Sequence, residues 1–194
     1  MYKYFKRFLD IVLSAVGLLV LSPILLIIAV AIKMDSKGPV LFKQKRVAKG
    51  KEYFQILKFR TMYADVPKDV PTHLLADPES KITKIGRFLR KSSLDELPQI
   101  WNILVGEMSI IGPRPALWNQ FDLIAERDKY GANDVRPGLT GLAQVMGRDE
   151  LPIEVKAKYD GEYAQNVTFA NDIKIFFKTI TSVLGAKGVK EGKQ

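Results

Sequence analysis

The stretch IVLSAVGLLVLSPILLIIAVAI, residues 11–32, has 22 residues and no charged side chain. At about 1.5 Å per residue, a straight helix of this length covers about 30 Å, the thickness of the hydrocarbon core of a bilayer. Ser22 and Pro23 lie at its centre. A proline removes one backbone hydrogen bond, and a serine hydroxyl can satisfy the carbonyl that is freed. The run therefore predicts a membrane helix that is broken at Ser22-Pro23.

Basic residues on both sides of this run bear on four interpretations. A transmembrane helix places only one end on the cytoplasmic side, where Lys and Arg are in excess. A re-entrant helix-break-helix hairpin over residues 1–35 keeps both ends on that side, and we favour it. A cleaved signal peptide is disfavoured because the run is long and a basic segment follows it. A buried hairpin of a soluble core stays as the alternative. The basic residues are Lys3, Lys6 and Arg7 before the run, and Lys33, Lys37, Lys43, Lys45 and Arg46 after it.

Composition limits the chemistry that the rest of the chain can perform. The 194 residues are 47% hydrophobic, enough for one sizeable core, and contain no cysteine and one histidine, His73. A disulfide framework and a thiol nucleophile are excluded, and a structural zinc site or a histidine-based triad is disfavoured. Residues 1–60 carry twelve Lys and Arg against three acids, which accounts for the whole net charge of +9. Catalysis must then use carboxylates, lysines, hydroxyls or a bound metal.

Beyond residue 35 the sequence predicts a mainly α-helical domain with one small β-hairpin. Segments 40–47 and 53–62 read as strands around AKGKE, a turn in which Gly50 can take positive φ. KITKIGRFLRK, residues 81–91, predicts an amphipathic helix with basic side chains, which is typical of a helix at a membrane interface. We expect a membrane hairpin at 1–35, a catalytic domain at 36–184 and a flexible tail at 185–194.

The segment SSLDELPQ, residues 92–99, places two carboxylates side by side at the start of a predicted helix. Ser93 and Glu96 match a capping box, but Pro98 would then fall at the fifth helical position, at a cost of up to ~3 kcal/mol. With Asp95 as the N-cap, Pro98 falls within the first turn, where no N–H donor is needed. A carboxylate at such a positive helix end can serve as a nucleophile or as a ligand for Mg²⁺.

Basic residues near this acidic pair favour a phosphorylated substrate. Arg87, Arg90 and Lys91 precede the pair by four to eight residues, so a phosphate could be held beside Asp95. With the membrane run, the pattern favours phosphoryl transfer at a membrane surface. A helix cap beside a salt bridge, without chemistry, is the alternative.

Six fragments together resemble, in order and spacing, the bacterial sugar transferases known as polyprenyl-phosphate phosphoglycosyl transferases. The resemblance covers residues 4–184, and the length is similar to that of the small monotopic form. The fragments are KRFLDIVLS (6–14), SP (22–23), GPVLFKQKRV (38–47), LKFRTM (57–62), GRFLRKSSLDELPQIWNILVGEMSIIGPRP (86–115) and RPGLTGLAQVMGR (136–148). The chain departs from the family pattern at Ala48, where glycine is usual, and at Met146, where asparagine is common.

This resemblance implies that a UDP-sugar gives its sugar-1-phosphate to a polyprenyl phosphate such as undecaprenyl phosphate, releasing UMP. The reaction would take place at the cytoplasmic face of the bacterial inner membrane, as the first membrane step of glycoconjugate assembly. Asp95 would be the nucleophile that forms a covalent phospho-sugar intermediate, Glu96 its catalytic partner, and Mg²⁺ would lie near Asp95. The candidate phosphate-binding or substrate-binding residues are Lys58, Arg60, Arg87, Arg90, Arg114, Arg136 and Arg148.

Two other classes of function compete with this enzyme. The isoelectric point of about 9.6 is compatible with nucleic-acid binding. Because the excess charge flanks an apolar run and the aromatics are not interleaved with lysines, no nucleic-acid partner is expected. A non-catalytic membrane scaffold is the second rival, and it requires neither Asp95 nor Glu96.

Overall fold

The computed structural model describes residues 2–67, 77, 79–147 and 151–184. Arg148, His73 and the predicted flexible tail lie outside the described residues, as does most of the polar loop between the β-hairpin and the next helix. The described part is mainly helical, with two small sheets. Its elements are α1 (Tyr2–Asp35), β1 (Leu41–Val47), β2 (Tyr53–Phe59), α2 (Lys84–Ser92), α3 (Gln99–Val105), β3 (Ser109–Ile111), α4 (Phe121–Asp128), β4 (Gly138–Thr140), α5 (Leu142–Met146), α6 (Ile153–Gln165) and α7 (Phe169–Leu184).

The apolar run forms most of α1, and this helix continues through Pro23. The predicted division into two separate helices is therefore not seen. Pro23 has no N–H to donate to the carbonyl of Leu19, one turn earlier, but the Ser22 hydroxyl donates to that carbonyl at 2.8 Å. Because the freed carbonyl keeps a donor, the helix does not have to end there.

By length and composition, α1 is the one described helix that could cross a membrane. Its most apolar 18-residue window has a mean hydropathy of 2.9, and only 11% of that window is buried by the rest of the protein. The apolar side chains on its surface are therefore available to lipid.

Both ends of α1 contact the same folded body. At the N-terminal end, the Tyr2 hydroxyl and the Lys6 ammonium each donate to Asp172 of α7 at 2.6 Å. At the C-terminal end, the Asp35 carboxylate accepts a hydrogen bond from the backbone N–H of Ile85 at 3.1 Å. The last turns of α1 also contribute to a core cluster whose buried members are Ile28, Ile32, Phe59 and Leu89.

The predicted β-hairpin is confirmed. Strands β1 and β2 pair antiparallel from Leu41 opposite Phe59 to Val47 opposite Tyr53, and the connecting turn holds Gly50 at φ 68°. Side chains alternate between the faces of a strand, so Lys58 shares a face with the buried residue Ile56. The hairpin thus carries a lysine on its inward face, at the end of β2.

A second sheet, β3 with β4, was not predicted from the sequence. Its two three-residue strands pair in parallel, Ser109 with Gly138 and Ile111 with Thr140. The close approach requires glycine, because a Cβ at Gly138 would collide with the backbone of Gly112. Strands this short carry little periodicity, and their partners lie far apart in sequence.

Asn102 fixes α3 to β2. Its side chain is 1% exposed, and its Oδ1 accepts a hydrogen bond from the backbone N–H of Leu57 at 3.0 Å. Its Nδ2 donates to the carbonyl of Gln55 at 2.9 Å and to the carboxylate of Glu107 at 2.7 Å. The helix that follows the acidic pair is thereby held against the strand that carries Lys58.

Asn102→Ala should lower the free energy of unfolding by at least about 2 kcal/mol, because it leaves a buried N–H and a buried carbonyl without their partners. The measurement is chemical denaturation in detergent. Asn171→Ala is the control, since its side chain bonds an exposed loop carbonyl. Equal losses in the two variants would show that the Asn102 contacts do not hold α3 to β2.

Candidate active site

The backbone around the acidic pair turns sharply between two helices. Helix α2 ends at Ser92, and Ser93 takes the left-handed conformation at φ 57°. A 3₁₀ turn, Leu94–Glu96, follows, and α3 begins only after Pro98. The predicted position of Asp95 as a helix N-cap is therefore wrong, and Ser93 makes no side-chain cap either. Because Pro98 donates no N–H, the hydrogen-bonding pattern of the turn does not run on into α3.

Glu96 lies between two cations. One carboxylate oxygen accepts from the Lys58 ammonium at 2.7 Å and from Arg114 Nη2 at 2.8 Å, and the other lies 3.4 Å from Arg114 Nη1. The Glu96 side chain is 17% exposed. Burial by itself would raise the pKa of Glu96, but the charges and hydrogen bonds of Arg114 and Lys58 outweigh it and hold that pKa well below its ordinary value. Glu96 is therefore ionised and committed to these two partners.

Asp95 has different surroundings. Its carboxylate accepts no hydrogen bond from any residue in the described part of the chain. Burial raises the pKa of Asp95, and the Glu96 charge adds to this, while Lys58, Arg90 and Arg114 oppose it. Of the two adjacent carboxylates, Glu96 is therefore the one that hydrogen bonds within the described residues commit to cations.

Three of the predicted phosphate-binding residues lie near Asp95. Lys58 comes from β2, Arg90 from the end of α2, and Arg114 from the extended segment after β3. The Nε of Arg90 donates to the Thr61 hydroxyl at 2.9 Å, which orients its guanidinium. The fold thus gathers cations from three distant segments around one carboxylate.

The other predicted phosphate-binding residues are placed differently. The buried guanidinium of Arg60 donates to the carbonyls of Lys37 at 2.5 Å and Ser36 at 2.7 Å, so it holds the segment after α1. Arg136 donates to the carbonyl of Gly106 at 2.9 Å, at the end of α3 away from the acidic pair. Arg87 is exposed on α2. Contact of Arg60, Arg87, Arg136 or Arg148 with a substrate phosphate stays a prediction.

A buried ion pair that the sequence did not reveal supports Arg114. Arg127 of α4 donates through Nε to Asp160 of α6 at 2.8 Å, and its Nη2 donates to the backbone carbonyl of Arg114 at 2.9 Å. The two paired side chains are 5% and 1% exposed. The residues around Arg127 in the sequence are like those around an arginine on the surface of a helix. No local pattern therefore indicates that Arg127 is buried and paired.

The protein side chains near Asp95 do not complete a metal site by themselves. Among the residues that the structure describes, no three His, Cys, Asp or Glu side chains are grouped to hold a metal ion. Mg²⁺, however, is commonly bound by one or two carboxylates together with substrate phosphates. Asp95 fits that pattern, whereas both Glu96 oxygens already face cations.

The chain is similar in sequence to known proteins over almost its whole length. The model of the bacterial sugar transferase family matches residues 1–186. The chain is 37% identical over 195 residues to a UDP-N-acetylgalactosamine-undecaprenyl-phosphate N-acetylgalactosaminephosphotransferase of Aeromonas hydrophila, covering 97% of this chain and 46% of that protein. It is 42% identical over 188 residues to a UDP-glucose:undecaprenyl-phosphate glucose-1-phosphate transferase of Caulobacter vibrioides, covering 92% of this chain and 69% of that protein.

A shorter relative matches over most of both chains. The exopolysaccharide production protein ExoY of Rhizobium meliloti is 34% identical over 197 residues, covering 94% of this chain and 87% of that protein. Several longer relatives have more sequence than this chain, which spans 35% to 46% of their length.

Arg127→Met should lower the free energy of unfolding by about 3–5 kcal/mol, because it leaves the buried Asp160 carboxylate without its cation. The matched control is Lys51→Met. The side chains of Lys51 and its partner Asp128 are 55% and 45% exposed, so this ion pair should contribute less than about 1 kcal/mol. Denaturant titration in detergent measures both. Losses of the same size would mean that the Arg127–Asp160 pair is no more important to the fold than a surface pair.

Proposed function

The chain belongs to the bacterial sugar transferase family, and we propose that it transfers a sugar-1-phosphate from a UDP-sugar to a polyprenyl phosphate, releasing UMP. The names of its relatives supply this donor class and undecaprenyl phosphate as the acceptor. The observation that carries the reaction is Asp95, a carboxylate without a hydrogen-bond donor among the described residues that lies close to the charges of Lys58, Arg90 and Arg114.

The reaction proceeds in two displacements at one phosphorus atom. A carboxylate oxygen of Asp95 attacks the phosphorus that carries the sugar, and the bond from that phosphorus to the bridging pyrophosphate oxygen breaks, so UMP leaves. A phosphate oxygen of the polyprenyl phosphate then attacks the same phosphorus. The bond to Asp95 breaks, the lipid diphosphate sugar is formed, and the carboxylate is regenerated.

A covalent intermediate suits a site with this charge distribution. The donor pyrophosphate and the lipid phosphate are both polyanions and repel each other at close range. With Asp95 as the temporary carrier, they occupy the region near Lys58, Arg90 and Arg114 one after the other. The same cations can therefore stabilise the developing negative charge in both displacements.

Glu96 has a positioning role in this scheme. Its carboxylate holds Lys58 and Arg114 on either side, so the two cations stay in place when no substrate is bound. Mg²⁺, when bound by Asp95 and substrate phosphates, would neutralise phosphate charge and align the phosphorus with the carboxylate.

The contacts of α1 support a monotopic location, and the Lys and Arg residues on both sides of its apolar run favour the cytoplasmic face of the inner membrane. Its two ends bond to Asp172 and to Ile85, which belong to one folded body. A helix that crossed the bilayer would place its ends on opposite faces, so the contacts favour a helix that enters and leaves by one face. Ser22 and Pro23, where one helical hydrogen bond is supplied by a side chain, are the expected bend.

Exposed apolar side chains on other helices favour the same location. On α2, Phe88 is 61% exposed beside the basic residues of that helix, and on α7 Phe169, Phe176 and Phe177 are also exposed. Amphipathic helices with aromatic residues bind at the level of the lipid headgroups. The active site would then lie at the depth of the acceptor phosphate.

Asp95→Asn should abolish both UMP release and covalent labelling of the protein by a donor with a radioactive sugar. The asparagine keeps the shape of the side chain but removes the anionic nucleophile. Asp122→Asn, at an exposed position of α4, is the matched control and should keep normal turnover.

Chelation by EDTA in the same assay should stop UMP release, and added Mg²⁺ should restore it.

Near-normal UMP release by Asp95→Asn would overturn Asp95 as the nucleophile. If the wild type itself neither released UMP nor took up label, and replacement of Asp95 and Glu96 by Ala left its function intact, the non-catalytic scaffold would become the better account.

The pH dependence of the first displacement should report the raised pKa of Asp95. The carboxylate must be ionised to attack, so the rate falls as the pH falls through its pKa. Because burial raises that pKa, the loss should begin above the ordinary aspartate value of about 3.9. Single-turnover UMP release without acceptor measures this step, with circular dichroism at each pH as the control for folding. A rate that stays constant down to that ordinary value would contradict the assignment.

A further inference from the structure

Four basic side chains meet at the N-terminal end of α1, and we name them the basal cluster: Lys3, Arg7, Lys49 and Arg136. Arg7 donates to the carbonyl of Ile103 at 2.6 Å and to that of Leu104 at 2.8 Å. Arg136 donates to the carbonyl of Gly106 at 2.9 Å. These carbonyls are at the C-terminal end of α3, where cations are favourable. The two arginines therefore form an inner layer, and their hydrogen bonds to backbone carbonyls explain why their charges lie there.

Lys3 and Lys49 form an outer layer, and no such hydrogen bond to a described backbone carbonyl explains why their charges lie there. Lys3 is exposed on α1, one turn before Arg7. Lys49 is exposed in the β-hairpin turn, which packs against residues 132–134, just before Arg136. The Lys3 charge, followed by burial and the Arg136 charge, lowers the pKa of Lys49. Like charges held this close repel each other, and a bound anion would relieve the repulsion.

Carboxylates within the described residues neutralise only part of this charge. Asp134 acts on Lys49 and Asp10 acts on Arg7. Among the described residues, however, none of the four cations forms an ion pair within 4 Å of a carboxylate. The buried Asp10 carboxylate is already engaged, since it accepts a hydrogen bond from the backbone N–H of Ile110 at 3.0 Å. The basal cluster therefore has a net positive charge.

Aromatic rings lie next to the cluster on the same end of α1. The ring of Phe5 is 6.3 Å from that of Phe169 on α7, and Tyr2 lies 6.2 Å from Phe169. Tyr4 and Phe8 are exposed on the same helical turns. Aromatic residues gather at the membrane–water interface, and basic residues near them attract anionic lipid headgroups.

We propose that the basal cluster binds the phosphate of an anionic membrane lipid. The site is distinct from the active site, because it lies beyond the C-terminal end of α3 whereas Asp95 and Glu96 precede the first residue of that helix. The proposal rests on the membrane location given above and does not depend on the reaction. A lipid held here would fix the N-terminal end of α1 at the headgroup level.

The experiment measures how fast an amine-reactive ester acetylates individual lysines of the full chain in neutral detergent, by mass spectrometry of its peptides. Short-chain phosphatidylglycerol should slow acetylation of Lys49 about fivefold, because a bound phosphate covers the amine and keeps it protonated. Phosphatidylcholine of the same chain length should have no effect. Lys51 is the internal control, since it belongs to the same turn and already pairs with Asp128 at 3.0 Å.

Matched variants complete the test. Phosphatidylglycerol should raise the unfolding temperature of the wild type and of Lys51→Gln, and this rise should be lost in Lys3→Gln and in Lys49→Gln. Equal protection of Lys49 by inorganic phosphate would overturn the lipid as the source of the anion, and the absence of any protection would overturn the site. Asp95→Asn protein should behave as the wild type does, so a failure here is separable from a failure of the proposed reaction.

Discussion

The geometry of the candidate active site depends on one carboxylate held between two cations. Glu96 joins β2, through Lys58, to the segment after β3, through Arg114, and these two residues are 56 positions apart in the sequence. Charges removed from water are costly unless each has a partner, so neither cation can lose Glu96 without penalty. Because Glu96 compensates both, its neighbour Asp95 is left beside positive charge without being bonded to it. Adjacent carboxylates in one turn thereby acquire different chemistry.

Further contacts hold in place the segments that carry Lys58, Glu96 and Arg114. Asn102 holds α3 to β2, and Arg127 holds the backbone of Arg114 to α4 and α6. Arg7 ties α1 to the far end of α3. The acidic pair is thus positioned with respect to both the β-hairpin and α1, and the depth of α1 in a bilayer would set the depth of Asp95.

The sequence predicted those features that local patterns encode. The apolar run, the β-hairpin with its glycine turn and the acidic pair all depend on residues close together in the chain. The β3–β4 sheet and the Arg127–Asp160 pair depend on partners far apart, and no spacing rule connects them. The N-cap prediction failed for a local reason, since Pro98 separates a 3₁₀ turn from α3. Arg60 could not be distinguished from Arg90 by sequence, because both are single arginines near a strand or helix end. Only the fold shows that one holds the backbone while the other lies near Asp95.

The contacts of Asp172 have a consequence for the order in which the chain can fold. Tyr2 and Lys6 reach this carboxylate across 170 and 166 positions, and Tyr163 also donates to it. During synthesis, α1 emerges first and its partner on α7 emerges more than 160 residues later. The apolar surface of α1 stays largely uncovered even in the complete fold, so it needs another environment from the moment it emerges, and lipid is the one that its length and hydropathy suit. Attachment of the N-terminal end of α1 to α7 is accordingly a late event, which closes the domain onto a helix already in place.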